Sequence, residues 1–274
     1  MGIEVRSFNI MKSAVFFDID GTLWNYDHYI PDSTKRAIKE LRANGNLALL
    51  CSGRTRAFIQ NKDLLSLGWD GIVCACGCHV ELNDKIEYQS LFDKDEAIAM
   101  VEMVRSYGFK PILEGPVNLY MDDDEFPVGD LYGDLVRADL GDNLKTICGE
   151  NYGNWVINKI SCATEVDEDK KQECLKRINQ NYFAIEHADP VVEIIPKNTS
   201  KATGMLKACV LLGVDPANTY AFGDSANDLE MLEEAAVGIA MGNGTDSAKE
   251  AADYVTDAFD EDGIYNGLKH FGLI

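Results

Sequence analysis

Short apolar runs alternate with helix-like stretches twice in this chain, once before residue 82 and again after residue 190, and this alternation restricts the fold more than any other feature. Residues 13–18, SAVFFD, are an apolar run closed by Asp18 and predict a buried strand. Pro31, Asp32 and Ser33 open a helix with Ala37, Ile38 and Leu41 on its apolar face, and Asn44-Gly45 ends it. NLALLCSGR predicts a second buried strand with a helix from about Thr55, and IVCAC a third strand. This β-α-β-α-β order predicts an α/β fold with a parallel sheet and helices on both faces.

The same order resumes with VVEII as a strand and Ser200 to Leu212 as a helix stopped at Gly213. TYAFGD then predicts a strand, DLEMLEEA a helix and VGIAM a strand, with a short strand and helix in the tail from about Tyr254. The stretch between differs. A helix over 95–107 carries Ala97, Met100, Val101, Val104 and Tyr107 on one face, and KPILEG, VNLYM, WVINKISCAT and YFAIEH are strand-like. These pieces predict an α+β unit with an antiparallel sheet, inserted as residues 82–189 into a domain made of 1–81 and 190–274. MDDDEF, 121–126, reads as a solvated loop.

Four places offer chemistry, each where a strand ends or a helix begins, the edge at which open parallel sheets bind ligands. In Asp18-Ile19-Asp20-Gly21-Thr22, two carboxylates stand two residues apart. Asp18 can attack phosphorus, and Asp20 can protonate a leaving oxygen and later take a proton from water. Gly21 lets backbone N–H groups approach an anion. In Ser52-Gly53-Arg54 a hydroxyl at a strand tip can hold a phosphate oxygen or cap a helix. Lys201 stands at the start of a predicted helix, where a surface lysine is the ordinary alternative. In Gly223-Asp224-Ser225-Ala226-Asn227-Asp228, two carboxylates four apart can share Mg²⁺, which takes oxygen ligands; the plainer alternative is that Asp228 complements a helix dipole with Ser225 as N-cap.

The formal net charge of −21 argues against a nucleic-acid partner, and it also repels phosphorylated metabolites. A phosphate site here must supply its own positive charge, which a metal ion and Lys201 together would do. No apolar run approaches the roughly 20 residues that span a bilayer, and the N-terminal stretch does not read as a signal peptide, so a cytoplasmic protein is expected. Of the eight cysteines, Cys74, Cys76 and Cys78 alternate as if on one face of a strand. No C-x-x-C pair is present, so reduced buried thiols are expected rather than a zinc site. His79 would continue that strand as a structural residue, and Trp24 either packs or lines an entrance.

Taken together, DIDGT at 18–22, Ser52 in CSGRT, Lys201 and GDSAND at 223–228 match in order the four motifs of the haloacid dehalogenase (HAD) superfamily, which the chain resembles from about 13 to 80 and from 190 onward. The placing of the insert and the phrases SGRT, VVEIIPKNTSK and GDSANDLEML resemble its Cof-type subfamily. The resemblance implies a Rossmann-like parallel sheet core with an inserted α+β cap, and a phosphatase using Mg²⁺. It implies that Asp18 forms the aspartyl-phosphate and that Asp20 is the general acid/base. Asp18, Asp20, Asp224 and Asp228 would hold the metal, and Ser52, Gly53, Lys201 and Asn227 the phosphoryl group or substrate. Cys76 stands where the subfamily often has Asn. A small phosphorylated metabolite is the expected substrate, sugar phosphates first, with pyridoxal phosphate and flavin mononucleotide as rivals. A phosphomutase and a non-catalytic metabolite-binding protein are the alternatives, and oligomeric state is not readable.

Overall fold

A computed structural model describes residues 12–25, 27–187 and 190–274. In chain order the first elements are β1 (Ala14–Phe17), α1 (Asp32–Ala43), β2 (Leu47–Cys51), α2 (Lys62–Ser66), β3 (Gly71–Cys74), β4 (His79–Leu82) and β5 (Lys85–Gln89). There follow α3 (Lys94–Ser106), β6 (Lys110–Glu114), β7 (Leu119–Tyr120), α4 (Leu131–Leu140), β8 (Leu144–Lys145), β9 (Lys159–Ala163), α5 (Glu168–Asn181), β10 (Tyr182–Glu186) and β11 (Val191–Pro196). The last are α6 (Lys201–Leu212), β12 (Thr219–Gly223), α7 (Leu229–Glu234), β13 (Val237–Ala240), α8 (Asp246–Ala251), β14 (Tyr254–Val255) and α9 (Gly263–His270). The chain divides into two compact units, one running up to Leu49 and again from Cys209, the other from Leu50 to Ala208.

In the first unit β14, β13, β12 and β1 lie side by side, all parallel. All four β1 side chains are buried, as an unbroken apolar run in a parallel sheet requires. Phe17 pairs with Phe222 in register, and their rings stack at 5.1 Å. That register decides the site, because it brings the residues that follow each phenylalanine, Asp18 and Gly223, to the same sheet edge. Helix α1 buries Thr34, Ala37, Ile38 and Leu41, the face its spacing predicts.

In the second unit β3, β4 and β5 pair antiparallel, and a further sheet runs β10-β11-β9-β6-β7-β8. Its core includes Val101, Val104, Phe109, Ile160, Cys174 and Ile194, so α3 and α5 bury their apolar faces on this sheet. The inserted α+β character read from the sequence is what forms.

Three local expectations change. The run VCACGCHV is not one strand: β3 stops at Cys74, residues 75–78 turn, and β4 returns from His79. Ala75, Cys76 and Gly77 all take positive φ, at 51°, 50° and 84°, so the chain reverses where alternation alone reads on. The stretch after Thr55 holds a single 3₁₀ turn, Arg56–Phe58, before α2, whose N-cap Asn61 accepts from Asp63 and Leu64. MDDDEF forms a loop with Asp123 and Asp124 exposed, as expected, but it is anchored rather than freely solvated along its length. Phe126 is buried, and the Arg105 guanidinium bridges Asp122 at 2.9 Å and Glu125 at 2.7 Å.

Candidate active site

Strand β1 delivers Asp18 at 4% exposure, its backbone N–H donating to the Phe222 carbonyl at 3.0 Å. One oxygen from each of Asp18, Asp224 and Asp228 lies within 4.8 Å of the others. Local chemistry holds them there. Asp228 Oδ2 accepts from the backbone N–H groups of Asp224 at 3.0 Å and Ser225 at 3.1 Å, in a capping box with Ser225. The capping role that the sequence left open for Asp228 is therefore real, and the same side chain joins the cluster. Thr22 Oγ1 donates to Asp224 Oδ1 at 3.2 Å.

The backbone leaves room for this. Gly21 sits at φ +80°, and a Cβ there would stand 2.4 Å from Asp224 Oδ2. A Cβ on Gly223 would stand 2.6 Å from the Asp228 Cβ. Three hard carboxylates gathered this closely could hold a hard divalent cation.

Asp20 stands apart from that trio. Its Oδ1 accepts the Trp24 indole N–H at 2.8 Å, and Gly21 N–H donates to the Trp24 carbonyl at 2.9 Å. Trp24 is itself buried and stacks on His28 at 4.4 Å. The tryptophan thus packs and also orients Asp20. Asn243, 222 positions along the chain, donates to the Gly21 carbonyl at 2.8 Å. Asn227 lies in the turn 226–228, its Oδ1 accepting from Ser225 Oγ at 3.1 Å.

Ser52, Gly53 and Lys201 belong to the second unit. Ser52 is 1% exposed; its N–H donates to the Val73 carbonyl at 2.9 Å, and its hydroxyl accepts the Arg54 N–H at 3.1 Å. Three carbonyls of the loop are held in a row. Cys76 N–H donates to Ser52 O at 3.3 Å, Lys159 Nζ to Gly53 O at 3.0 Å and Ala75 N–H to Arg54 O at 2.8 Å. Lys201 is 2% exposed, so it is not the surface lysine that its type ordinarily gives. Cys51 Sγ donates to its carbonyl at 3.6 Å, which sets the head of α6 beside the end of β2. A Cβ on Gly77 would meet the Ser200 carbonyl at 2.1 Å, so the 75–77 turn and the head of α6 pack backbone to backbone. Ser52, Gly53 and Lys201 thereby share one neighbourhood.

Cys76 in that turn is buried, and burial together with the nearby Glu193 carboxylate pushes its thiol well above the usual range. Its Sγ donates to Glu193 Oε2 at 3.5 Å. Thr22, Trp24, Asn243, Lys159 and Glu193 all bear on candidate site residues, and the sequence reading gave none of them a role at the site. Thr22 lies within DIDGT, Trp24 two residues beyond it and Glu193 within VVEIIPKNTSK, whereas Asn243 and Lys159 carried no positional signal.

A family profile described as haloacid dehalogenase-like hydrolase matches residues 15–268. Over 280 residues the chain is 29% identical to the 5-amino-6-(5-phospho-D-ribitylamino)uracil phosphatase YcsE of Bacillus subtilis (strain 168), with 100% of each chain covered. It is 28% identical over 270 residues to a phosphatase of the same description from that organism, YitU, covering 94% of this chain and 96% of that one. Among solved structures it is similar to the HAD subclass IIB sugar phosphatase BT4131, at 29% identity and a TM-score of 0.80, covering 96% of this chain and 100% of that one.

Proposed function

The chain belongs to the haloacid dehalogenase-like hydrolase family and is a phosphoric monoester hydrolase, and on that premise we propose that it cleaves phosphate from small metabolites through an aspartyl-phosphate on Asp18. The convergence of Asp18, Asp224 and Asp228 on one point supports this reading most strongly.

In the first step an Asp18 carboxylate oxygen forms a bond to phosphorus while the ester P–O bond breaks. Asp20 gives its proton to the departing oxygen. In the second step Asp20 takes a proton from water as that water attacks phosphorus, which returns Asp18 and frees inorganic phosphate. The indole of Trp24 donates to Asp20 Oδ1 at 2.8 Å and so orients the carboxyl for this proton transfer. Asp18, Asp224 and Asp228, with Asp20 lending its backbone carbonyl, would hold Mg²⁺, which supplies positive charge against the phosphoryl oxygens. We assign Ser52, Gly53, Lys201 and Asn227 to holding the phosphoryl group. A core of residues 1–81 and 190–274, with a cap of 82–189 that shields the intermediate from bulk water, completes the proposal.

Sugar and sugar-alcohol phosphates are the proposed substrate class, supported by the named activities of BT4131, YcsE and YitU. The test is phosphate release from a panel of sugar phosphates, 5-amino-6-(5-phospho-D-ribitylamino)uracil, pyridoxal phosphate and flavin mononucleotide, with Mg²⁺ and then with EDTA. Release that depends on Mg²⁺ and concentrates on polyol phosphates is expected. Release unchanged by EDTA would overturn the metal, and release found only with pyridoxal phosphate, whose ester is not on a polyol chain, would overturn the substrate class. Transfer of phosphate to a second position of the same sugar, with none lost to water, would make the enzyme a mutase.

A further inference from the structure

The second unit contains a buried cluster of charge that the proposed reaction does not use. Lys159, the first residue of β9, is 3% exposed. Its ammonium donates to Glu193 Oε1 at 2.8 Å and to the Gly53 carbonyl at 3.0 Å, and Glu114 Oε1 stands 3.4 Å away. An ammonium has three N–H donors, and here three acceptors surround it. The sheet builds this arrangement. Strands β11, β9 and β6 are neighbours, Glu114 pairs with Lys159 and Glu193 with Ser161, and the period of two puts Lys159 and Ser161 on one face. Glu114 accepts from Ser161 Oγ and, at its other oxygen, from Thr55 Oγ1 at 3.3 Å.

The charges are well separated in character. Burial alone would lower the Lys159 pKa, but Glu114 and Glu193 outweigh it and hold the ammonium well above its ordinary range. Burial would raise Glu193, and Lys159 with His187 overrides it and holds that carboxyl down. Glu114, the third charge on one lysine, is raised by its burial.

A cluster serving the sheet alone would tie strand to strand. This one ends on a loop, at Gly53 O and at Thr55 Oγ1. Backbone N–H groups hold the Ser52 and Arg54 carbonyls, whereas the middle carbonyl is held by side chains, closely by Lys159 Nζ at 3.0 Å and at the edge of reach by Cys76 Sγ at 3.9 Å. That dependence reaches the hydroxyl. Gly53 C=O and Arg54 N–H belong to one planar peptide group, so fixing the first aims the second, and the Arg54 N–H donates to Ser52 Oγ at 3.1 Å. We propose that Lys159, set between Glu114 and Glu193, is a positioning residue that fixes the Gly53–Arg54 peptide and through it the Ser52 hydroxyl that receives a phosphoryl oxygen. The proposal rests on the role assigned above to Ser52 and Gly53.

The test uses the full chain with Lys159→Met and the double variant Lys159→Met/Glu193→Leu. The double change removes Lys159 together with its 2.8 Å partner, leaving Glu114, whose pKa burial already raises, on its Ser161 and Thr55 donors, and apolar replacement of a buried ion pair often restores stability. Three quantities are read: thermal midpoint, amide exchange at Arg54, and the dissociation constant of inorganic phosphate with Mg²⁺ by calorimetry. In Lys159→Met the midpoint falls, exchange at Arg54 quickens by about tenfold or more, and phosphate binds about tenfold more weakly. In the double variant the midpoint recovers while exchange and binding do not. Unchanged exchange or unchanged phosphate affinity in Lys159→Met overturns the proposal, as does recovery of all three together in the double variant. A wild-type protein that binds no phosphate overturns the assigned role of Ser52 and Gly53, whereas wild type and variants that bind it equally well overturn the proposal alone.

Discussion

Each unit of this molecule keeps charge out of water, and the two do so in opposite ways. In the second unit two carboxylates close around one lysine, with Glu193 and Glu114 at 2.8 and 3.4 Å from Lys159 Nζ. In the first unit three carboxylates close on one another, oxygens within 4.8 Å, braced by backbone N–H groups and Thr22. Two like charges at that separation repel by roughly 3 kcal/mol at an effective dielectric near 20. The lysine cluster is complete within its own unit, reaching from the sheet to the 53–55 loop, and suits a job of holding that loop still. The carboxylate cluster is arranged around a point that a cation fits, and suits a job that needs charge delivered to a substrate. The positive charge that an acidic chain must find for its phosphate site is therefore expected to come with the metal.

Removing the proposed nucleophile gives the largest effect expected of this contrast. Asp18→Asn keeps the size and the Phe222 backbone bond, so the fold should persist while turnover falls on the order of 10⁴-fold or more. Normal phosphate release from that variant would leave the carboxylate cluster without its chemistry. Chelation comes next. EDTA should abolish release and lower the thermal midpoint of wild type, and added Mg²⁺ should restore both, while the lysine cluster responds to neither.

Gly21→Ala should have an intermediate effect on stability. The new Cβ lands 2.4 Å from Asp224 Oδ2 at φ +80°. A left-handed alanine costs about 1–2 kcal/mol, and the displaced carboxylate should weaken Mg²⁺ measured by titration calorimetry. Loss of stability with metal affinity intact would mean that the glycine serves the turn alone.

The smallest effect concerns His79, buried beside Glu81 and Arg56. Burial lowers its pKa from an ordinary value of 6.5; Glu81 opposes the shift and Arg56 adds to it. Its Nδ1 meets Gln89 Nε2 at 3.2 Å. The unfolded chain then binds the proton more readily than the folded one, so stability is full above the unfolded pKa and declines as pH falls through 6.5 toward the folded value. His79→Gln should flatten that part of the midpoint-versus-pH curve. An identical slope in the variant would assign the acid loss to other groups.

The first unit was the more legible in sequence, for a physical reason. Its site is written in adjacent residues: a strand ends, a carboxylate follows, and parallel register with β12 does the rest. Asp18, Asp224 and Asp228 could be named together because the short motifs that carry them end at one sheet edge, where their oxygens gather. The second unit assembles its cluster from Thr55, Glu114, Lys159, Ser161 and Glu193, no two adjacent, through antiparallel pairing. No local pattern marks a lysine that will be buried, because burial of a charge is decided by partners far along the chain. The 75–78 turn escaped for a different reason. Alternation of cysteines reads as strand, and positive φ at Ala75 and Cys76 is permitted only by the packing around them. Lys201 is almost wholly buried, against the surface position that a lysine ordinarily takes.

Asp18 is the group proposed to take the phosphoryl from substrate. The most direct measurement is a rapid acid quench during turnover of a sugar phosphate, with borohydride reduction of any acyl phosphate and peptide sequencing by mass. The account predicts homoserine at position 18, formed with Mg²⁺ present and absent with EDTA. An unmodified Asp18 under conditions of full turnover, or a reduced residue at position 20 instead, would contradict it.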